Sequence, residues 1–343
     1  MKKKRIAGLF LLAPLALLTA CGGGNNGLAL TANWHKNTGT RDNITGTEET
    51  LEYSVAFVKS TDTGAFTLDY ENGTYTTRLS AVIDSELSST QIYRYETELK
   101  ISVKFSLNGV ESETYEDSVK TDAYFMTVAD SLRPVRCIKE VVSTTPLTTS
   151  SSPRAKLEDN FTTFRYKTET TYNEELSSAT VVTTAYTTEE TENEDGTVTE
   201  TEKESVSEKT VKLSGKYTYF DNDQILFALR GLDMTAASTF QTIDPQTRQV
   251  TKAGMSSAPS AISYSAAFTM GGTAVEETID AYQVSIGYNT SNPGQSQTLV
   301  YAKKSEDANN NVYRNVLLRM EAPVVYQHGT LVYNLKKAEF SPV

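Results

Sequence analysis

The chain has 343 residues, a net charge of −11, 38% hydrophobic residues, two Cys, two His and one Trp. Such an acidic chain is repelled by nucleic acid and by anionic lipid headgroups, which argues against binding to either as its main task. Its aromatic content and its 22% of charged residues argue against global disorder, and its length suits one large domain or two ordinary ones.

The N-terminus carries Lys2, Lys3, Lys4 and Arg5 with no acid, then an apolar run from Ile6 to Leu18. A basic stretch followed by about a dozen apolar residues is a secretory signal, too short to span a bilayer, which needs roughly 20 residues. Leu18-Thr19-Ala20-Cys21 follows and resembles the lipobox of bacterial lipoproteins. Small residues before the Cys suit a peptidase pocket, and its thiol is the nucleophile that accepts lipid. The resemblance implies cleavage after residue 20, lipidation of Cys21, and anchoring to the outer face of the bacterial cytoplasmic membrane, or to the outer membrane where the host has one. An ordinary secreted protein with a chance Cys is the alternative. Without residues 1–20 the net charge becomes −15, since only four cations are lost.

Residues 21–47 read as a flexible tether, opening on Gly22-Gly23-Gly24-Asn25-Asn26-Gly27. Trp34 and His35 are its unusual residues, and Trp34 reads as an aromatic resting on the domain edge. With Cys21 lipidated, Cys137 is the remaining thiol, so no internal disulfide is expected and stability must come from a large core. Cys137 sits among apolar residues and reads as buried and inert.

Residues 48–343 read as a single large all-β domain, rich in Thr, of which the chain has 49, with Val, Tyr and Phe. Leu51, Tyr53, Val55 and Phe57 alternate with smaller or polar residues. A second run through Phe66, Leu68 and Tyr70 meets Asn72-Gly73, the dipeptide of tight hairpin turns, so a turn is expected there. Residues 93–107 alternate without a slip, from Tyr93 through Leu99, Ile101, Val103 and Phe105 to Leu107. One face is therefore buried and the other wet. At about 3.3 Å per residue the strand would reach about 50 Å, so it must bend around something. Asn108-Gly109 turns it into a partner over 111–128.

Ser143 to Pro153 holds only Ser, Thr, Pro and Leu and reads as a loop or hinge. Strands resume at 161–173. Residues 180–212 form a long polar hairpin turning at Glu194-Asp195-Gly196, with nine acids and two bases between 189 and 209. It reads as a solvated protrusion or partly disordered insertion. One helix is expected over 222–231, capped by Asn222 or Asp223 and ended by Gly231. Strands follow near 238–243, 249–254, 261–270, 275–288, 296–304, 312–326 and 330–340.

Catalytic patterns are sparse. No His-Glu-x-x-His, no Gly-x-Ser-x-Gly and no phosphate-cradling loop occurs. His328 lies in a turn, where a surface His is the default. Asp307-x-Asn309-x-Asn311 begins like an EF-hand loop, but Val312 and Leu318 stand where Gly and a bidentate Glu are required. No cofactor or metal site is expected. Carboxylate pairs of the glycosidase kind are set by folding, not by spacing, and the 19 Tyr read as packing residues.

The expected architecture is a large curved antiparallel sheet, half-barrel-like, with one short helix and a long polar hairpin. Asp122-x-Tyr124-Phe125 with Leu132-Arg133-Pro134-Val135 comes first, and the run Asp223 to Leu232 follows. Ala281-Tyr282-x-Val284, Val316 to Glu321, and Gly329-Thr330-Leu331-Val332-Tyr333-x-Leu335 complete the order. This order resembles an uncharacterised β-rich family of bacterial envelope proteins, with a half-barrel related to LolA-type lipoprotein carriers. The resemblance covers roughly 90–343 and implies fold more than function. The functional expectation is a non-enzymatic envelope lipoprotein that binds a hydrophobic or extended ligand or supports an envelope assembly, with Leu99, Ile101, Val103 and Phe105 as the ligand face. An adhesion or protein-binding module using the acidic hairpin or sheet edges is the alternative, and a hydrolytic enzyme with a site in loops is a third.

Overall fold

The computed structural model describes residues 47–342, apart from 62–63, 85, 89–91, 129–130, 193–197, 222, 232–235, 256, 289–295, 304–312 and 314. The signal-like segment, Cys21, the tether with Trp34 and His35, Asn222 and the expected turn at 194–196 lie outside the described residues.

Eight strands come first: β1 (Thr47–Lys59), β2 (Phe66–Val82), β3 (Ile92–Leu107), β4 (Val110–Val128), β5 (Ser131–Pro146), β6 (Phe161–Tyr172), β7 (Ser178–Glu192) and β8 (Val198–Lys212). The helix α1 (Gln224–Ala228) follows, prolonged by a 3-10 turn over Leu229–Gly231. Nine shorter strands complete the chain: β9 (Thr239–Asp244), β10 (Gln249–Met255), β11 (Ser260–Ser265), β12 (Phe268–Met270), β13 (Thr273–Val275), β14 (Thr278–Tyr288), β15 (Gln297–Ala302), β16 (Leu317–Pro323) and β17 (Gly329–Pro342).

Among the described residues all seventeen strands belong to one curled sheet that is not closed. Strands β2 to β8 form an antiparallel meander. β1 lies between β2 and β17, so the first and last strands are neighbours. From β17 the sheet continues through β16 and β15 to β14, which pairs with β11 and, near its end, with β10. β9 completes that end by pairing with β10. The two ends approach one another through side chains. Ile243 of β9 packs with Tyr172, Ala179, Val181 and Val211 from β6, β7 and β8.

The period-two pattern of β3 holds. Tyr93, Tyr95, Thr97, Ile101, Val103, Phe105 and Leu107 are buried, while Lys100 and Lys104 on the opposite face are exposed. The concave side is filled by α1, whose five residues are all buried. A helix this short is unstable alone, so its helicity rests on that burial. Phe227 packs against Tyr95 and Phe125, at 5.7 and 5.5 Å between ring centres. Tyr301 Oη donates to the Leu226 carbonyl at 2.9 Å, and Tyr53 Oη donates to that of Leu317 at 2.8 Å. A smaller cluster of Phe66, Leu68, Val103, Phe105 and Leu107 closes the end of β3, with Phe161 stacked 4.3 Å from Phe105.

Four local expectations change. Asn72-Gly73 makes no hairpin turn: β2 runs through it with a bulge between Glu71 and Thr74, and Asn72 takes a φ of 54°. The reason is non-local. β1 lies alongside, and Gly73 faces Val55 so closely that a Cβ would stand 2.6 Å from the Val55 carbonyl oxygen. Asn108-Gly109 is the hairpin turn expected, with φ of 52° and 84°.

The expected hinge begins as strand, since β5 runs to Pro146. The loop beyond it is pinned by His328, which is buried and not at the surface. The His328 ring lies 3.1 Å from Ser150 Oγ and 2.7 Å from the Thr148 carbonyl oxygen, and it meets Phe66 edge-on. Finally, Asp223 stands at the start of α1 without capping it. Its carboxylate accepts a hydrogen bond from Thr121 Oγ1 instead, at 2.5 Å. The polar hairpin β7–β8 is paired from Ser178↔Lys212 to Glu192↔Val198, and its base buries Ala179, Val181 and Val211.

Candidate functional site: a double chamber inside the curled sheet

Period-two alternation sends one side of every strand inward, so any polar residue in phase with the apolar ones ends up inside. Among the described residues Glu49, Lys139 and Asp117 do this on strands, and Asp223 joins them from the residue before α1. Glu49 is in phase with Leu51, Tyr53 and Val55, and Lys139 with Cys137 and Val141. Asp117 shares its face with Thr121, Ala123 and Phe125, and Asp223 comes from the start of α1.

Glu49 and Arg230 form a bidentate pair, at 2.7 and 2.9 Å, with side chains 4% and 2% exposed. Arg230 also stacks over Phe227, 5.3 Å from the ring centre. Burial opposes its charge, but Glu49 outweighs burial and raises its pKa. Asp117 accepts the Thr144 amide at 2.8 Å and Ser143 Oγ at 3.3 Å. Desolvation still pushes its carboxyl up to about 6. Both arrangements are filled and hold the sheet and its plug together.

Lys139 and Asp223 differ, because they face open space. Their nearest atoms are 3.6 Å apart. Burial opposes the Lys139 charge, but Asp223 holds its pKa above the ordinary value. Two cavities lie beside this pair, and Asp223, Tyr288 and Gln297 line both. The inner one has a volume of about 130 Å³. Thr97, Leu99 and Val119 line its meander side, Leu226 its helix side, and Met320 and Ala322 its β16 side, with Tyr75 and Tyr333 also on the wall. The outer one measures about 300 Å³ and runs past Lys139, Tyr166, Thr242 and Thr251 to the Pro245-Gln246 turn. Gln246 is exposed and marks its rim.

The inner chamber is close in size to an engineered cavity of ~150 Å³ that binds benzene, and the outer one is at the small end of ligand sites, ~300–1,000 Å³. Tyr75 and Tyr333 stay protonated at neutral pH. Burial raises both well above the ordinary value. Two hydroxyls on the walls, Tyr75 Oη and Thr242 Oγ1, are buried with no hydrogen-bond partner among the described residues. Among the described residues no group of three or more His, Cys, Asp and Glu is arranged to hold a metal ion.

Of the expected ligand face, Leu99 lines the inner chamber. Ile101 is packed in the main core, and Val103 and Phe105 are packed in the end cluster. Cys137 is buried, and desolvation pushes its thiol well up, so it is held as the neutral thiol. Lys139, Tyr288 and Gln297 were not singled out in the sequence, and Asp223 was expected only as a helix cap. The signal for Lys139 was its place between Cys137 and Val141 on an apolar face. The others converge from α1, β14 and β15, and no local pattern marks that.

One solved structure resembles the chain. It is a beta-barrel-like protein of domain of unknown function DUF1849 from Brucella abortus, 9% identical, with a TM-score of 0.37, over 85% of this chain and 97% of that one. No protein-family model and no curated protein matches the chain. The resemblance to LolA-type carriers expected from the short motifs is not shown by these comparisons.

Proposed function

We propose that the protein is an exported, lipid-anchored, non-enzymatic binding protein of the bacterial envelope, whose curled sheet takes a small hydrophobic ligand in the double chamber. The observation that carries the binding reading is the inner chamber, apolar along Leu99, Val119, Leu226 and Met320 and sharing Asp223, Tyr288 and Gln297 with a polar outer chamber. A folded core of this size has no structural need of such a space, because interiors are otherwise close-packed. The lipobox-like Leu18-Thr19-Ala20-Cys21 and the glycine-rich tether support the anchored placement.

Two measurements test the two halves. Palmitate labelling of cells expressing the full chain should mark the wild type and not Cys21→Ser; equal labelling of both would sink the anchor. Native mass spectrometry of the detergent-released full chain should find a small apolar molecule bound one-to-one. An empty wild-type chain that also takes up no added ring compound would sink the binding reading.

A further inference from the structure

The walls of the double chamber also constrain what can enter it, and this step rests on the binding reading above. Each charge on the walls already has a counter-charge or hydrogen-bond donors. Lys139 faces Asp223, which also accepts from Thr121. Asp244 accepts the backbone amides of Gln246 and Thr247, at 2.9 and 2.8 Å. A charged ligand group would lose its hydration and find no uncompensated partner. What the walls leave open is hydrogen-bonding capacity without charge. Tyr75 is 5% exposed and Thr242 is 3% exposed, and their hydroxyl oxygens have no partner among the described residues. Tyr75 is held from both sides by rings, Tyr53 at 5.7 Å and Tyr333 edge-on at 5.3 Å, so its hydroxyl keeps a set position in the inner wall.

We infer that the double chamber selects an uncharged ligand whose apolar part, about the size of a six-membered ring, fills the inner chamber and presents a carbonyl or ether oxygen to the Tyr75 hydroxyl. A second hydroxyl or carbonyl on the ligand reaches Thr242 in the outer chamber. An aliphatic acid or amine with the same ring is rejected because its charge would be stranded beside a compensated pair.

Three probes share one ring and differ only in the polar group: cyclohexanone, cyclohexanecarboxylate and protonated cyclohexylamine. The readout is the methyl resonance of Met320, which lines the inner chamber, in the detergent-released full chain carrying 13C-methyl methionine. It is assigned by its loss in Met320→Leu. Cyclohexanone should shift this resonance in a saturable way, with affinity at least tenfold above that of either charged probe. Tyr75→Phe should weaken cyclohexanone about tenfold, as the loss of one buried hydrogen bond does. The same substitution should leave the denaturation midpoint unchanged or higher, because it removes an unpartnered buried hydroxyl. A weaker ketone with an intact fold therefore reports on the contact itself. If none of the three probes moves Met320, the chamber is not the binding site, and the binding reading falls with this inference. If the charged probes bind as well as the ketone, or Tyr75→Phe binds the ketone unchanged, the selection for an uncharged acceptor is wrong while the site stands.

Discussion

Glu49 and Arg230 are where the fold concentrates the largest electrostatic stake. Their side chains are 4% and 2% exposed, and two hydrogen bonds join them. Glu49→Gln keeps the shape of the acid and deletes its charge. The guanidinium then stays inside, over Phe227, with its compensation gone. Breaking one partner of a buried pair costs about 3–5 kcal/mol, a large part of the ~5–15 kcal/mol that holds a typical domain. Arg230→Met should cost a similar amount, by stranding Glu49. Glu49→Leu should strand Arg230 as Glu49→Gln does, and combining Glu49→Leu with Arg230→Met should recover most of the loss, because well-packed apolar residues often match or exceed a buried ion pair. The assay is urea unfolding followed by circular dichroism, with all four corners of the double-mutant cycle measured. A single variant losing less than about 1 kcal/mol, or a double variant losing the full sum, would refute this account of how α1 is held.

Asp117 should impose an inverse pH dependence. Its folded pKa of about 6 lies above that of an unfolded Asp, about 4, so the folded state binds the proton more tightly and this group's contribution falls as pH rises from about 4 to 6. Asp117→Asn keeps an acceptor for the Thr144 amide and should be about 1–3 kcal/mol more stable than wild type at pH 7, but not at pH 4; an equal difference at both values would exclude titration as the cause. Gly73→Ala should cost about 1–3 kcal/mol, since its Cβ would press on Val55, and a wild-type urea midpoint would contradict the tight β1–β2 approach. His328→Ala should cost about 1–3 kcal/mol and open the loop at 147–156 to protease before the rest of the sheet, and an unchanged cleavage pattern would show that the ring is not the pin.

Strands with one wet face were legible from the chain alone. β3 and β4 announce themselves because Lys100, Lys104 and Glu116 must stay hydrated while Ile101, Val103 and Phe105 must not. The helix was legible too, because Ile225 to Leu229 is apolar on every side and suits a buried plug. Asn72-Gly73 misled because turn chemistry is local, and the neighbour that straightened it, Val55 of β1, is paired by the wider topology. His328 misled for the same reason: Ser150 and Thr148 arrive from the loop after β5, 178 and 180 residues away in the chain. The chamber was the least legible feature. Its walls come from strands separated by most of the chain, and a cavity is defined by atoms that do not touch.

Pairing of β1 with β17 sets a timetable for the newborn chain. Leu51 lies beside Ala338, so among the described strands the first made waits for the last. Closing a loop of that length costs on the order of 5 kcal/mol in chain entropy before the ladder can repay it. Until then β1 and β16 each present a row of bare amides and carbonyls, the condition under which neighbouring chains pair with one another. The molecule therefore matures from its C-terminal strand, and a chain stopped short of Gly329 would be a seed for aggregation more than a smaller version of the same protein.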